Sequence, residues 1–359
     1  MLPNQPHQQT LDGNLITTDF YTSPDYEIPG ICEASVIAEF SSIFQPLVQT
    51  LVFLIGISGN ILVLLTYGFA RNLKSMTDTY LINLAVADLL QLMTLPFWSI
   101  SAVKSWVFGN MACKLVQGMY SINFFSGFLF LTCISVDRYC EIVLAVTTHK
   151  RRHRSIFYSK LISPVVWIIS TVLSLPEFIY SQSKDIDGSN ICKMIFPEEM
   201  NTVKIVSSFF QIVLGFIVPF LVMTVCYSKI IRTLLSCKSF EKHKAMKVII
   251  SVVVVFVIFQ LPYTLVTFID TADFIGDKEM SCEVKKQKDI AIIITSSLAF
   301  TRCCLNPILY AFVGVKFRKD ILLMLKNIGC ISRTRYIKHC GSGKSFSNHV
   351  AMDTSSFSL

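Results

Sequence analysis

The chain has 359 residues, of which 52% are hydrophobic and 16% are charged, and its mean hydropathy is +0.56. Ordinary soluble proteins of this length carry more charge and fewer long apolar runs, so this composition excludes that class. The formal net charge of +8 is concentrated in short segments between apolar runs, which favours a membrane-topology signal over nucleic-acid binding.

Seven apolar segments predict seven membrane-spanning helices. A bilayer core is crossed by roughly 20 apolar residues of helix. Four segments of at least that length contain no Asp, Glu, Lys, Arg or His: residues 40–70, 115–136, 205–228 and 248–269. The three weaker segments are residues 79–103, which contain Asp88, residues 161–176, which are short, and residues 290–315, which contain Arg302. Because backbone polar groups have no water partner in hydrocarbon, we expect an all-α membrane protein.

The distribution of Lys and Arg predicts the orientation of these helices. The first 50 residues contain no Lys or Arg but six acids: Asp12, Asp19, Asp25, Glu27, Glu33 and Glu39. Basic residues cluster instead in alternate connections, at 71–74, 150–154 and 238–247, and in the segment 316–344. Since an excess of Lys and Arg marks the cytoplasmic side, we expect an extracellular acidic tail over residues 1–39 and a cytoplasmic C-terminus.

The twelve cysteines fall into distinct predicted environments. Four lie in segments predicted to be outside the cell, where disulfides persist and three pairings are open: Cys32, Cys113, Cys192 and Cys282. Cys330 and Cys340 lie on the predicted inner side after the last span, and we interpret them as palmitoylation candidates.

Polar residues inside the predicted spans are functional candidates, because they are costly in a membrane. They are Asn60, Asp88, Asn123, Arg302 and Asn306, with Asp137 and Arg138 at one inner helix end. A transporter or channel also carries such residues, but no internal repeat is evident and the polar positions trace no continuous pathway. No phosphate loop, metal-ligand spacing or catalytic triad occurs in a suitable setting, so we predict no enzyme, no cofactor and no metal site.

Seven short motifs follow one another in order along the spans. They are Gly59-Asn60, Leu84-Ala85-Val86-Ala87-Asp88, Asp137-Arg138-Tyr139, Trp167, Pro219 with Tyr227, Pro262, and Asn306-Pro307-Ile308-Leu309-Tyr310. This ordered set resembles the rhodopsin-like G-protein-coupled receptors over roughly residues 40–326. Residues 94–98 (Thr-Leu-Pro-Phe-Trp), 106–109 (Trp-Val-Phe-Gly) and 260–263 (Gln-Leu-Pro-Tyr) resemble chemokine receptors. Residues 104–109, 240–245 and 329–332 are similar to the CC-chemokine receptors of types seven and nine.

The resemblance implies a domain organisation and a function. It implies a seven-helix bundle over residues 40–313, a short amphipathic eighth helix over 314–327 and a Ser/Thr-rich cytoplasmic tail over 328–359. A receptor of this family lies in the plasma membrane, binds a CC chemokine and activates a Gi-class G protein, with chemotaxis and calcium signalling as outputs. Receptor kinases and arrestin are the partners implied for the tail. Among the three disulfide pairings, the family pattern implies Cys113–Cys192 and Cys32–Cys282.

The ligand-binding residues are predicted in two groups. Chemokines are small basic proteins, so an acidic tail favours their association, and the residues concerned are Asp19, Tyr21, Asp25, Tyr26 and Glu27. Tyr21 and Tyr26 resemble sulfated tyrosines of this family. The resemblance also places Trp98, Tyr120 and Ser296 in the pocket that takes the ligand's N-terminus. Because the family often has Glu where this chain has Ser296, we expect Asp270 or Asp273 to supply the missing charge.

The predicted switch residues lie deeper in the chain. The resemblance implies that Asp137, beside Tyr139, holds Arg138 at rest and that Arg138 then meets the G protein with Tyr227 and Tyr310. Pro262 and Pro307 are expected to kink their helices. No acid occupies the sixth-helix position that locks this arginine in some receptors, where the chain has Lys242.

Two departures from the family pattern carry hypotheses. Many rhodopsin-like receptors place a sodium ion beside the aspartate that corresponds to Asp88, with a serine where this chain has Gly127. An arginine inside a membrane usually pairs with a carboxylate, so we expect Arg302 to supplant that ion. Glu141 stands where signalling members have a small apolar residue, which keeps open a scavenging receptor that internalises ligand without G-protein signalling.

Overall fold

The computed structural model describes residues 34–69, 76–144, 149–186, 188–197, 201–235, 240–276, 281–313 and 315–332. These residues form long helices joined by short connections, in the order α1 (Ala34–Phe69), α2 (Met76–Leu92), α3 (Leu95–Lys104), α4 (Gly109–Ile142), α5 (His149–Leu173), α6 (Leu175–Tyr180), β1 (Ser181–Ile186), β2 (Ser189–Met194), α7 (Asn201–Ile212), a π-helical segment (Val213–Ile217), α8 (Val218–Leu235), α9 (Phe240–Ile275), α10 (Cys282–Val313) and α11 (Val315–Asn327). The predicted fold class, a helical membrane bundle followed by a short further helix, is confirmed.

Several of the helices are long enough to cross a membrane. Within the described residues, five stretches have the necessary length and apolar composition: Ile37–Gly68, Met76–Lys104, Gly109–Ile142, Thr202–Thr233 and Cys282–Ile308. A shorter apolar helix covers Phe157–Leu173. The remaining predicted span, residues 248–269, lies within α9.

Polar and apolar side chains are distributed as a lipid solvent requires. Large apolar side chains face outward, including Leu54, Ile168 and Phe209, each of which is 60% or more exposed. Polar side chains such as Asn60 and Asn123 are buried between the helices. Since lipid tails are as apolar as leucine, the interior is the place where polar groups find partners.

Two of the spans are interrupted near a proline. Pro96 stands at the start of α3, and because proline lacks an N–H and collides with the preceding turn, α2 ends at Leu92. At the break, the hydroxyl and the backbone N–H of Thr94 both donate to the carbonyl of Gln91, at 2.7 Å and 2.9 Å. Ser174 donates to Ser170 in the same way at 2.7 Å, just before Pro176 and α6.

The fifth span contains a π-helical segment, Val213–Ile217, for which the sequence pattern gives no indication. Gly215 lies in this segment against α4, and a Cβ at this position would come within 2.4 Å of Phe124 Cε1. The absence of a side chain at Gly215 therefore lets the two helices approach closely.

A β-hairpin lies at one end of the bundle, although the sequence pattern predicts no strands there. Its strands pair antiparallel, with Ser181 opposite Met194 and Ser183 opposite Cys192. A disulfide joins Cys192 to Cys113 on α4, with a Cα–Cα distance of 5.5 Å. The backbone N–H of Trp106 also donates to the carbonyl of Asn190 at 2.7 Å. We call this end the hairpin end, and the end that carries Arg138 the arginine end.

Candidate functional site

An aromatic wall lies at the hairpin end. The indole of Trp106, only 1% exposed, donates to the carbonyl of Gly109 at 2.8 Å and contacts Trp98 at 5.7 Å between ring centroids. Phe108 packs edge-on against Trp106 at 5.3 Å and against Phe97 at 4.9 Å. The predicted pocket residue Trp98 is therefore held from behind by a rigid aromatic cluster.

Tyr120 on α4 extends this wall toward the centre of the bundle. Its ring makes edge contacts with Tyr263 on α9, at 6.0 Å, and with Phe300 on α10, at 5.7 Å. Trp98 and Tyr120 pack against the same apolar cluster, which includes Phe300. Ser296 lies four residues before Phe300 on the same helix face, and its hydroxyl donates to the carbonyl of Ile293 at 3.1 Å. Three of the predicted pocket residues thus converge on one region.

The acids at the hairpin end already have a cationic partner. Lys288 on α10 contacts Asp270 at 2.7 Å and Asp273 at 3.2 Å, both at the end of α9. The Asp270 side chain is 49% exposed, whereas that of Lys288 is 11% exposed. Because two carboxylates share one ammonium, the cluster of Asp270, Asp273 and Lys288 has a net charge of −1. Asp270 is its most exposed member. Lys288 was not predicted, because only the fold brings it next to α9.

One acid at the hairpin end, Glu177, was also missed. Glu177 on α6 is 8% exposed, and its Oε2 atom has no hydrogen-bond partner among the described residues. Its neighbour Phe178 lies where a Cβ on Gly118 would be, so α6 packs closely on α4. The signal was visible in the sequence, because Glu177 is a lone acid within the apolar segment Leu175–Tyr180.

A buried polar centre lies midway along the bundle and links α2, α4 and α10. Asp88 is 0% exposed and Arg302 is 2% exposed. Arg302 Nη1 donates to Asp88 Oδ1 at 3.3 Å, and Arg302 Nη2 donates to Asn123 Oδ1. Asn123 donates to Asp88 Oδ1 at 3.2 Å, and Asn306 donates to Asp88 Oδ2 at 2.8 Å. The structure thus brings four sequence-predicted residues into one hydrogen-bonded group.

The first helix is attached to this centre through α10. The amide of Asn60 donates to the carbonyls of Gly56 and Cys303, each at 2.9 Å. Gly59 lies so close to Pro307 that a Cβ on this glycine would approach the proline Cβ to 2.8 Å. The Gly59-Asn60 motif therefore serves close packing and fixes α1 beside the proline of α10.

Arg138 lies at the arginine end with a side chain 19% exposed. Its guanidinium contacts Asp137 Oδ2 at 3.1 Å and also pairs with Glu141 one turn later on α4. Thr77 on α2 completes the group: its hydroxyl donates to Asp137 at 2.7 Å and accepts from Arg138 Nε at 3.1 Å. Thr77 was missed, because a threonine at the start of a helix has no distinctive signal in the sequence.

Tyr227 lies near this group on the neighbouring helix α8. Its hydroxyl and that of Ser135 on α4 form a hydrogen bond of 2.9 Å. Tyr139 packs at the edge of the main core, and Pro262 and Pro307 lie inside α9 and α10. The structure therefore places Tyr227 beside α4, hydrogen-bonded to Ser135.

Several predicted residues lie outside the described part of the chain. They are Asp19, Tyr21, Asp25, Tyr26, Glu27, Cys32 and Cys340, and the side chains of Lys242 and Tyr310 are also outside it. Cys282 is disulfide-bonded, but its predicted partner Cys32 is not described, so that pairing stays a prediction. Cys330 is an exposed free thiol after α11.

The chain matches a known family over most of its length. The family model described as "7 transmembrane receptor (rhodopsin family)" matches residues 59–310. C-C chemokine receptor type 7 of Homo sapiens is 47% identical over 326 residues, covering 89% of this chain and 85% of the relative. The type 9 receptor of Homo sapiens is 42% identical over 325 residues, covering 90% and 85%. The type 6 receptor of Homo sapiens is 39% identical over 347 residues, covering 95% and 91%.

These matches agree with the site. The arginine group contains Arg138, the polar centre contains Asp88 and Asn306, and the aromatic wall contains Trp98 and Trp106, all of which belong to the motifs that suggested the resemblance. The chain belongs to the rhodopsin-like G-protein-coupled receptors and, within them, to the CC-chemokine receptor family.

Proposed function

We propose that this receptor binds a CC chemokine outside the cell and activates a Gi-class heterotrimeric G protein inside it. The observation that carries the proposal is the Arg138 group, in which the arginine is held by Asp137 and Thr77 but remains partly exposed at the arginine end. An arginine held by a few polar contacts is available to a partner that competes for them. The distribution of Lys and Arg along the chain favours an orientation in which the hairpin end is extracellular and the arginine end is cytoplasmic.

Ligand capture begins at the acidic tail. Its carboxylates, together with sulfated Tyr21 and Tyr26, attract a basic chemokine and raise the association rate. The N-terminus of the chemokine then enters at the hairpin end, where Asp270 faces outward from the Lys288 cluster. Trp98 and Tyr120 form the wall against which it packs.

The signal passes from the pocket to the arginine end through the helices that Tyr120 joins. Tyr120 contacts α9 and α10 directly, so a ligand that moves its ring displaces both helices. Both helices contain an interior proline, Pro262 and Pro307, at which they can bend. Bending at these prolines separates the cytoplasmic ends of the helices and lets Arg138 reach the G protein, with Tyr227 and Tyr310 beside it.

Sensors for G-protein activation and arrestin recruitment test this function in cells exposed to a panel of CC chemokines. We expect one chemokine to give a G-protein response that pertussis toxin abolishes. Arg138→Gln serves as the control, because it keeps a polar side chain but removes the charge, so binding remains and the response disappears. Binding without any G-protein response in the unaltered receptor would contradict the signalling proposal.

A scavenging receptor is the second candidate, and one observation favours it. Glu141 pairs with Arg138 and adds a second carboxylate to the group that holds this arginine. If Glu141 binds Arg138 more tightly in the resting state, the arginine is less available to the G protein. Ligand uptake through arrestin does not need this arginine to be released. Two results together separate this candidate from the first. Ligand uptake requires phosphorylation of the tail by receptor kinases, and a G-protein response appears only when Glu141 is replaced.

The cytoplasmic tail also carries membrane and regulatory partners in this proposal. Cys330 is exposed directly after α11, where a palmitoyl chain on its thiol would reach the lipid. Cys340 is the second palmitoylation candidate. The serines and threonines of residues 328–359 are the sites for receptor kinases and arrestin.

A further inference from the structure

The membership of this chain in the rhodopsin-like receptors implies a sodium ion beside Asp88, and the residues around this carboxylate do not fit one. Asp88 Oδ1 already accepts from Arg302 and Asn123, and Asp88 Oδ2 accepts from Asn306. One guanidinium balances one carboxylate, and both side chains are almost fully buried. A further cation beside Arg302 would face a like charge in a region of low dielectric, where repulsion is strong.

We infer that Arg302 is a tethered counter-cation: this receptor fills a cation site with its own guanidinium and is insensitive to sodium. Because Arg302 belongs to α10, the counter-charge of Asp88 cannot exchange with solvent or leave during activation. It moves only with α10, which it connects to α2 through Asp88 and to α4 through Asn123. This inference concerns regulation by ions and holds whichever ligand or G protein the receptor uses.

The atoms around Arg302 indicate what its removal would expose. The Oδ1 atom of Asn306 is buried and has no hydrogen-bond partner among the described residues. The guanidinium contacts Asp88 Oδ1 and Asn123 Oδ1, and the same hydrogen-bonded group also contains Asp88 Oδ2 and this Asn306 oxygen, so it holds four side-chain oxygens. Oxygen atoms around a single negative charge suit a small, hard, monovalent cation. Replacing Arg302 with an uncharged side chain of similar length should therefore create a sodium site.

The test is a thermal unfolding experiment on the purified, ligand-free receptor in sodium chloride or choline chloride at equal ionic strength. For the unaltered receptor we expect the same Tm in both salts. For Arg302→Met we expect the Tm to be higher in sodium by about 2–4 °C, because sodium binds the folded state. Adding Asp88→Asn to Arg302→Met should remove this difference. Lys319→Met, which removes an exposed cation from α11, should show no sodium dependence.

The inference fails if the unaltered receptor is stabilised by sodium and Asp88→Asn abolishes the effect. It also fails if folded Arg302→Met is indifferent to sodium. If Arg302→Met does not reach the cell surface, the double variant Asp88→Asn/Arg302→Met decides. Restored surface expression shows that the defect was an unpaired buried carboxylate, as the inference requires, whereas expression as poor as that of Arg302→Met contradicts it.

Discussion

Replacing Glu141 with glutamine should raise the basal activity of the receptor. The Glu141 side chain pairs with Arg138 but is 46% exposed, so solvent screens the interaction. An exposed pair of this kind contributes about 0.2–1 kcal/mol. If that energy favours the resting state, its loss increases the ratio of active to resting receptor by about 1.4- to 5-fold.

Asp137→Asn should have the larger effect at the same arginine. The Asp137 side chain is only 7% exposed and accepts from both Arg138 and Thr77. Hydrogen bonds to charged groups contribute about 1.5–3 kcal/mol each, so loss of the Arg138 bond alone predicts an increase of about 10-fold or more. We therefore expect basal activity to rise more in Asp137→Asn than in Glu141→Gln, because Asp137 is buried and solvent screens its interaction with Arg138 less.

The assay is agonist-free G-protein activation at matched surface expression. Glu283→Gln is the control, because Glu283 is an exposed glutamate that bonds only to Gln287 in the described hydrogen bonds. We expect this control to leave basal activity unchanged. Unchanged or lower basal activity in Asp137→Asn or in Glu141→Gln would show that the carboxylate replaced in that variant does not restrain Arg138.

Three further predictions concern stability and ligand capture. Cys192→Ser removes the disulfide between the hairpin and α4, so surface expression and ligand binding should fall sharply, as flow cytometry with labelled chemokine would show. Gly215→Ala should lower stability by about 1–3 kcal/mol through overpacking, visible as a reduced Tm, whereas Gly68→Ala, with no atom within 4 Å of the new Cβ, should not. Lys288→Met removes the ammonium that contacts Asp270 and makes the hairpin end more negative by one charge, so chemokine association should be severalfold faster at low salt. An unchanged rate in surface plasmon resonance would contradict this.

The helices of the bundle were predictable from the sequence, because each one depends only on the apolar composition and length of a single continuous segment. Apolar runs long enough to cross a bilayer have few alternatives to helix. The hairpin was not predictable in this way, since its strands Ser181–Ile186 and Ser189–Met194 lack an alternating apolar pattern. Its position depends on the disulfide to Cys113 and on the backbone bond from Trp106.

The parts of the site that contain a charged residue inside a membrane span were predictable, because burying a charge there is energetically unfavourable unless it is paired. Arg302 inside a span requires a carboxylate, and Asp88 was the acid available in another span. Lys288 and Thr77 gave no such signal. A lysine near the end of a membrane helix and a threonine at the start of one are both common and carry little energetic penalty. Their roles arise only from the packing of α10 against α9 and of α2 against α4.

Chemokine-stimulated nucleotide exchange on a purified Gi heterotrimer, with the receptor reconstituted in lipid nanodiscs, tests whether this chain activates a G protein. We expect a CC chemokine bound by the receptor to accelerate exchange, and we expect Arg138→Gln to abolish the acceleration without loss of chemokine binding. Saturating chemokine binding with no acceleration, in both the unaltered receptor and Glu141→Gln, would contradict the claim that this chain is a G-protein-activating receptor.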